Sequence, residues 1–174
     1  MSNKLKLFKS DNYLVAFCEA ECFLDISKMI KQKTFLKTFT QKEIDQSISF
    51  QYATHVNHSY AFELYLKCLM IIETGEYTEG HQLFELFKSL KPTTKNNIEN
   101  HFNSNYAIIR RNMKYFGLFE TPSIYELLKE ANKAFIDFRY LFSRKNTPTY
   151  QLDGAIECVR QEIFRLKPEL NDVW

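Results

Sequence analysis

The sequence is poor in residues that break regular structure and in segments that mark export or membrane insertion. Its 174 residues include four glycines, four prolines and one tryptophan. An all-β fold needs a turn about every 8–12 residues, and turns depend on glycine and proline, so this composition argues against one. No apolar run reaches the roughly 20 residues of a membrane span. Segment 1–9 is basic but lacks the apolar core of a secretory signal.

Neither sign of charge dominates the chain. Lysine and arginine number 23 against 21 acidic residues, a net charge of +2, whereas nucleic-acid-binding domains are usually strongly basic. Four cysteines without an export signal predict reduced thiols, so we expect a cytoplasmic protein. The sequence has no glycine-rich phosphate loop, and no cofactor is expected.

The periodicity that is present is helical. Hydrophobic residues make up 45% of the chain and charged residues 25%, which indicates a folded protein rather than a disordered one. We predict one all-α domain over residues 1–174, an up-and-down bundle of five to six helices. The helices are expected near 11–34, 40–74, 81–90, 94–111, 121–143 and 153–165. The second is either continuous or broken near 53–57, and 112–119 is expected to be an irregular connection.

Two pairs of residues one turn apart are candidate chemical groups in these helices. Cys18 and Cys22 are interpreted as small core residues, because their neighbours in sequence are aromatic. His55 and His58 share a helix face. A metal site needs further ligands, which the sequence does not supply, so no metal is predicted.

Glu63 and Lys67 interrupt a stretch that is otherwise apolar in nearly every direction around the helix, from Ala61 to Ile72. A helix of that kind is normally surrounded by other helices. Two interpretations stay open. The two residues form an exposed ion pair worth a few tenths of a kcal/mol, or they form a partly buried polar site that has further partners.

Two residues are candidate partners for such a site. Arg139 lies at the edge of the apolar stripe of the 121–143 helix, where Asp137 and Tyr140 point further away, and we expect Arg139 to approach Glu63 within salt-bridge range. His81, at the start of the third helix, is either an ordinary helix-start residue or a member of the site.

Three segments resemble those of one family. Segment 56–69, VNHSYAFELYLKCL, is similar to the asparagine-containing ELYLKALL helix of bacterial HEPN-like proteins. Segment 75–87, GEYTEGHQLFELF, resembles the family's GEY…HxLxxLF element, and segment 134–142, AFIDFRYLF, resembles its AFxxWRYxxE helix. The three occur in the family's order and span about half of the chain.

The resemblance implies an up-and-down helical bundle that forms a homodimer. It implies a role in toxin–antitoxin or phage-defence systems, with RNA, a nucleotide, a cognate antitoxin or a nucleotidyltransferase-type protein as partner, and no membrane. Many members are metal-independent ribonucleases whose signature is an arginine followed four to six residues later by a histidine. Here every histidine precedes every arginine, so that signature is absent.

Three hypotheses follow. In the preferred one the chain is a non-catalytic module that dimerises and binds a partner, with Glu63, Lys67, His81 and Arg139 as a structural or ligand-holding polar core. In the alternative, His81 and Arg139 form a non-standard endoribonuclease site in which Lys67 contacts phosphate. The third is a purely structural subunit.

Overall fold

The computed structural model describes residues 7–34, 41–115, 122–134, 136 and 152–173, and over these residues the chain is mostly helical, as predicted. None of the described helices is long and apolar enough to cross a bilayer. The elements, in chain order, are β1 (Leu7–Lys9), α1 (Tyr13–Thr34), α2 (Gln41–Thr74), β2 (Glu76–Thr78), α3 (Leu83–Ser89), α4 (Pro92–Tyr115), α5 (Ile124–Glu130), α6 (Asp153–Leu166) and a 3-10 turn (Pro168–Asp172).

A small β-ribbon, which the sequence did not predict, joins the start of the chain to the end of α2. β1 and β2 pair antiparallel, with Phe8 opposite Tyr77 and their ring centroids 5.7 Å apart. Gly75 ends α2 and lets the chain turn into β2. Its φ of +72° is the left-handed conformation that glycine adopts without strain. The Gly75 carbonyl then accepts a hydrogen bond from the Ser10 amide.

Helix α2 runs through residues 53–57 without a break, which settles the choice between one helix and two. Its polar residues there satisfy their hydrogen bonds within the helix, since each donates to the carbonyl four residues earlier. These bonds are 2.8–2.9 Å long and join Thr54 to Phe50, Asn57 to Ala53, and Ser59 to His55.

Helix α1 lies antiparallel to α2. The Sγ of Cys68 is 3.4 Å from the Tyr13 carbonyl, the rings of Phe17 and Tyr65 are 6.1 Å apart, and Phe23 and Tyr60 make an edge contact at 4.6 Å. Residue numbers therefore rise along α1 as they fall along α2.

Helix α6 also lies antiparallel to α1. Phe164 contacts Phe17, and Arg160 contacts Glu21 further along α1. On its other side α6 meets α4 through the Asn97–Glu162 hydrogen bond. One face of α1 is thus enclosed by α2 and α6.

The enclosed face of α1 differs from the one that the cysteines suggested. Phe17, Ala20 and Leu24 are buried there, whereas Cys22 is exposed and Cys18 is half-buried. The interpretation of the two cysteines as core residues is therefore wrong for Cys22. Phe17 fills the core position next to Cys18, which packs against the edge of the core, and Cys22 lies on the exposed side of the helix.

Helix α5 begins as predicted and ends sooner. Ser123 and Glu126 form a complete capping box, in which each side chain bonds the other residue's backbone amide. The helix was expected to run without a break to residue 143, but α5 stops at Glu130, a turn follows over 131–133, and residues 134 and 136 are helical again. Most of the remainder, 137–151, lies outside the described residues.

The early end of α5 coincides with a contact to the start of α3. Asn132 accepts hydrogen bonds from two amides at the start of α3, through its carbonyl from Leu83 (3.2 Å) and through its Oδ1 from Phe84 (2.9 Å). These amides have no partner within α3 itself. Because its carbonyl serves α3, Asn132 is taken out of the α5 hydrogen-bonding ladder.

Helix α4 is longer than predicted at both ends. Pro92, which was expected only to close α3, is its first residue, where proline's missing amide hydrogen costs nothing. At the other end the helix reaches Tyr115, inside the stretch expected to be irregular. No glycine or proline occurs between Pro92 and Gly117, so nothing local breaks the helix earlier.

Candidate functional site

Glu63, Lys67 and His81 come together at one side of α2, and we call them the Glu63 cluster. The Lys67 Nζ lies 2.7 Å from the Glu63 Oε1. The His81 Nδ1 lies 3.0 Å from both Glu63 carboxylate oxygens. A carboxylate only accepts hydrogen bonds, so Nδ1 carries the proton and donates it.

The turn after α2 returns the chain to Glu63. From Glu63 to Gly75 the helix rises about 18 Å at 1.5 Å per residue. The six residues from Gly75 to His81 can span roughly 20 Å in extended form, at about 3.4 Å each. The β2 strand supplies that extended path, and Gly80 completes the return with a hydrogen bond from its amide to the Thr78 hydroxyl.

Burial falls steadily across the cluster. The side chain of Glu63 is 1% exposed, that of Lys67 12% and that of His81 47%. A buried carboxylate is costly unless charged donors surround it. Glu63 obtains one donor from its own helix and one from the segment before α3, so the cluster ties these two elements together.

The surroundings of the cluster are partly apolar. Burial, followed by the charges of Glu63 and Glu19, raises the pKa of Tyr60, one turn before Glu63. On the side of Lys67 a cleft of about 230 Å³ opens between α1, α2 and β2. It is lined by Ser10, Asn12, Val15, Ala16, Glu19, Leu64, Lys67, Ile71 and Tyr77.

The remaining predicted site residues, Asp137, Arg139 and Tyr140, lie outside the described residues. The expected approach of Arg139 to Glu63 therefore stays a prediction. Glu63 and Lys67 pair at i,i+4 spacing, but they are largely buried and have His81 as a further partner, which matches the partly buried polar site rather than the exposed ion pair.

A second group that also combines a lysine, a carboxylate and a histidine lies further toward the start of α2, and we call it the His58 site. The His58 Nδ1 lies 3.6 Å from an Asp153 Oδ1 that also accepts a 2.7 Å hydrogen bond from the Lys31 ammonium. Here the histidine is buried, with 5% of its side chain exposed, and the carboxylate is 61% exposed.

Burial decides the charge state at the His58 site. It lowers the pKa of His58 to about 4, although the Asp153 carboxylate opposes the shift. The pKa of Asp153 is itself lowered: burial acts to raise it, but the Lys31 hydrogen bond and the nearby His58 outweigh burial. At neutral pH the site therefore pairs Lys31 with Asp153 beside an uncharged imidazole.

Sequence reasoning missed a buried ion pair between α1 and α6. The Glu21 carboxylate is fully buried and bonds the Arg160 guanidinium twice, at 2.6 and 3.1 Å. Burial, and then the adjacent Glu21, raises the pKa of Tyr65. Glu21 lies on the same helix face as Phe17 and Leu24. A carboxylate on that apolar face is the sequence feature that could have indicated a buried ion pair.

Metal binding has no support in the described part of the chain, which contains no group of three histidine, cysteine or carboxylate side chains placed to hold an ion. Burial is the main cause that lowers the pKa values of His55 and His58, the pair weighed for this role. Both lie near Asp153, whose charge raises these pKa values, and near Lys31, whose charge lowers them.

The Glu63 cluster can do two things chemically. It can fix the start of α3 against α2, because one anion bonds two donors. It can also orient the His81 imidazole, since Nδ1 donates to the buried carboxylate. Comparisons with protein-family models, curated proteins and solved structures gave no match.

Proposed function

We propose that this chain is a non-catalytic, HEPN-like helical module that dimerises and acts by binding a protein partner, in a bacterial defence or toxin–antitoxin-type system. The observation that carries the proposal is the closed Glu63 cluster. The Lys67 ammonium and the His81 Nδ1 are both bonded to Glu63. A phosphate would have to compete with a buried carboxylate for these donors.

The family segments support the proposal by their location. Segment 56–69 lies within α2, and segment 75–87 covers β2 and most of α3. The cluster joins these two segments, with Glu63 and Lys67 in the first and His81 in the second. In this proposal the similar sequence elements serve to build a polar core.

The charge and surface of the chain favour a protein partner over RNA. A net charge of +2 gives little of the sequence-independent attraction that phosphate contacts provide. The outer face of α1 instead exposes large apolar side chains, including Met29 at 59% and Val15 at 46%. Exposed apolar surface of this kind is typical of protein–protein contacts.

Two binding experiments test the proposal. Fluorescence anisotropy with a labelled single-stranded RNA of about 20 nucleotides at 150 mM salt should show no binding. Co-expression with the product of each adjacent gene should give a stoichiometric complex with one of them. Tight RNA binding that weakens steeply with added salt would favour a nucleic-acid partner instead.

One observation favours the ribonuclease alternative. A buried carboxylate bound to the Nδ1 of a half-exposed histidine is the arrangement that orients a general base. In that case His81 would accept a proton from the attacking 2′-hydroxyl, Arg139 would hold the phosphate, and Lys67 would contact it as the second cation. This alternative requires cleavage that depends on both Glu63 and His81.

A further inference from the structure

The cleft beside Lys67 is a groove between α1 and α2 with a volume of about 230 Å³. Asn12 and Glu19 line it from α1. These two residues are seven positions apart, which is roughly 10 Å along the helix at 1.5 Å per residue. Because α1 and α2 are antiparallel, Glu19 lies at the same end of the groove as Leu64, and Asn12 at the end of Ile71.

The long walls of the groove are apolar. Val15 and Ala16 form the α1 wall, and Leu64 and Ile71 form the α2 wall. Pockets that hold drug-sized molecules have volumes of about 300–1,000 Å³, so this groove accommodates a smaller ligand. Its shape and lining favour an elongated molecule with an apolar body.

The two charged side chains of the groove differ in their partners. The Lys67 ammonium lies 2.7 Å from the Glu63 Oε1, so its charge is neutralised from within α2. Glu19 is exposed, and its carboxylate forms no hydrogen bond or ion pair within the described part of the chain. Two carboxylates and one ammonium leave a net negative charge, which favours a cation at the Glu19 end.

We propose that this groove binds a small primary amine, whose ammonium group bonds the Glu19 carboxylate and whose apolar body lies between Val15 and Leu64. Such a site needs neither dimerisation nor a partner protein, so it goes beyond the proposed function. The head of the ligand is recognised by charge, and its body by the apolar surface that it removes from water. An anionic ligand would be repelled by Glu19 and would compete with Glu63 for Lys67.

Three compounds with the same six-carbon body and different head groups test this assignment. Hexylamine, 1-hexanol and hexanoate are titrated into isotope-labelled wild-type protein at pH 7, and the backbone amide shifts are followed by NMR. Hexylamine should bind with a Kd of roughly 1 mM, a realistic affinity for seven non-hydrogen atoms. The shifted amides should fall within 15–19 of α1 and 64–71 of α2. Hexanol should bind more weakly, and hexanoate more weakly still.

Two substitutions separate the head group from the body. Glu19→Gln keeps the shape of the side chain and removes its charge, so it should weaken hexylamine about two- to fivefold, as for an exposed ion pair, and leave hexanol unchanged. Ala16→Phe fills the groove and should weaken both compounds more than about tenfold. The matched control Glu79→Gln changes an exposed glutamate outside the groove and should leave both affinities unchanged.

The variants also keep the test independent of folding. Ala16 packs against the core, whereas Glu19 is exposed, so Glu19→Gln remains informative if Ala16→Phe does not fold. Absence of hexylamine binding at about 20 mM would overturn the proposal. Equal affinity for hexylamine in the wild type and Glu19→Gln, or stronger binding of hexanoate than of hexylamine, would overturn it as well. Each of these results leaves the proposed binding of a protein partner untouched.

Discussion

The Glu63 cluster and the His58 site each combine a lysine, a carboxylate and a histidine, with opposite burial. In each, a lysine ammonium lies 2.7 Å from a carboxylate oxygen and a histidine Nδ1 lies nearby, at 3.0 Å in the cluster and 3.6 Å in the His58 site. In the cluster the carboxylate is buried and the histidine half-exposed. In the His58 site the histidine is buried and the carboxylate exposed.

This difference in burial shows that the buried side chain of each site determines whether the site stabilises the fold. Buried Glu63 needs charged donors, so both neighbours are drawn into the cluster and removing any member has a structural cost. Buried His58 loses its charge instead, which leaves Lys31 and Asp153 as a surface pair of small energetic value. Composition alone would have assigned the same role to both groups.

The largest expected effect comes from removing the carboxylate at each site. Glu63→Gln should lower the free energy of unfolding by about 3–5 kcal/mol, because it leaves a mostly buried ammonium without its anion. The matched change Asp153→Asn should cost less than about 1 kcal/mol. Urea unfolding of both variants at pH 7 measures the difference. Equal losses would contradict the contrast between the sites.

The second effect is a dependence of stability on pH that comes from His58. Its pKa is about 4 in the folded chain and about 6.5 when unfolded. Between these values the unfolded state binds the proton and the folded state does not, so stability falls as pH decreases from 6.5 toward 4. The loss should approach about 3 kcal/mol at 1.36 kcal/mol per pKa unit.

Urea unfolding across pH 4–7.5 measures this dependence. His58→Gln should flatten the decline, and the control His101→Gln, at an exposed position of α4, should not. An unchanged slope in His58→Gln would mean that the buried imidazole is charged in the folded state.

A smaller effect is expected at the exposed end of the Glu63 cluster. His81→Gln should cost about 1–2 kcal/mol, because Lys67 still compensates Glu63 and the imidazole is half in water. The measurement is thermal or urea unfolding beside Glu63→Gln. A loss as large as that of Glu63→Gln would mean that His81 alone stabilises the buried Glu63 carboxylate and that Lys67 does not compensate its charge.

The smallest effect tests how His81 is positioned. Asn132→Ala removes the Oδ1 acceptor of the Phe84 amide and should cost about 1 kcal/mol, as for loss of a helix cap. Hydrogen exchange should speed up at the start of α3 and leave α2 near His58 unchanged. Faster exchange in both places would mean that the two sites are coupled.

The helices could largely be predicted from the sequence because their signals are local. Apolar periodicity, Gly75 and the Ser123 capping box are each read within one turn of the chain. The β-ribbon, the early end of α5 and the Glu21–Arg160 pair could not be predicted, because each depends on a residue brought from elsewhere. Asn132, which is distant in sequence from α3, is one such residue.

Part of the candidate site could also be predicted from the sequence, and part could not. Glu63 and Lys67 are visible as the polar interruption of an apolar helix, and His81 as a residue that a turn could return to it. The sequence did not show that the histidine, and not the carboxylate, is the buried member of the His58 site. His55 and His58 share a spacing with metal sites, and only the packing of α1 and α6 around them shows which one is enclosed.

One measurement tests most directly the claim that the Glu63 cluster is structural. Purified wild-type protein is incubated with total RNA in EDTA at pH 7, beside His81→Ala, Glu63→Gln and the control His101→Ala, with folding checked by circular dichroism. We predict intact RNA with every folded protein. Cleavage by the wild type and His101→Ala that is lost in folded His81→Ala and Glu63→Gln would contradict the account and establish an enzyme.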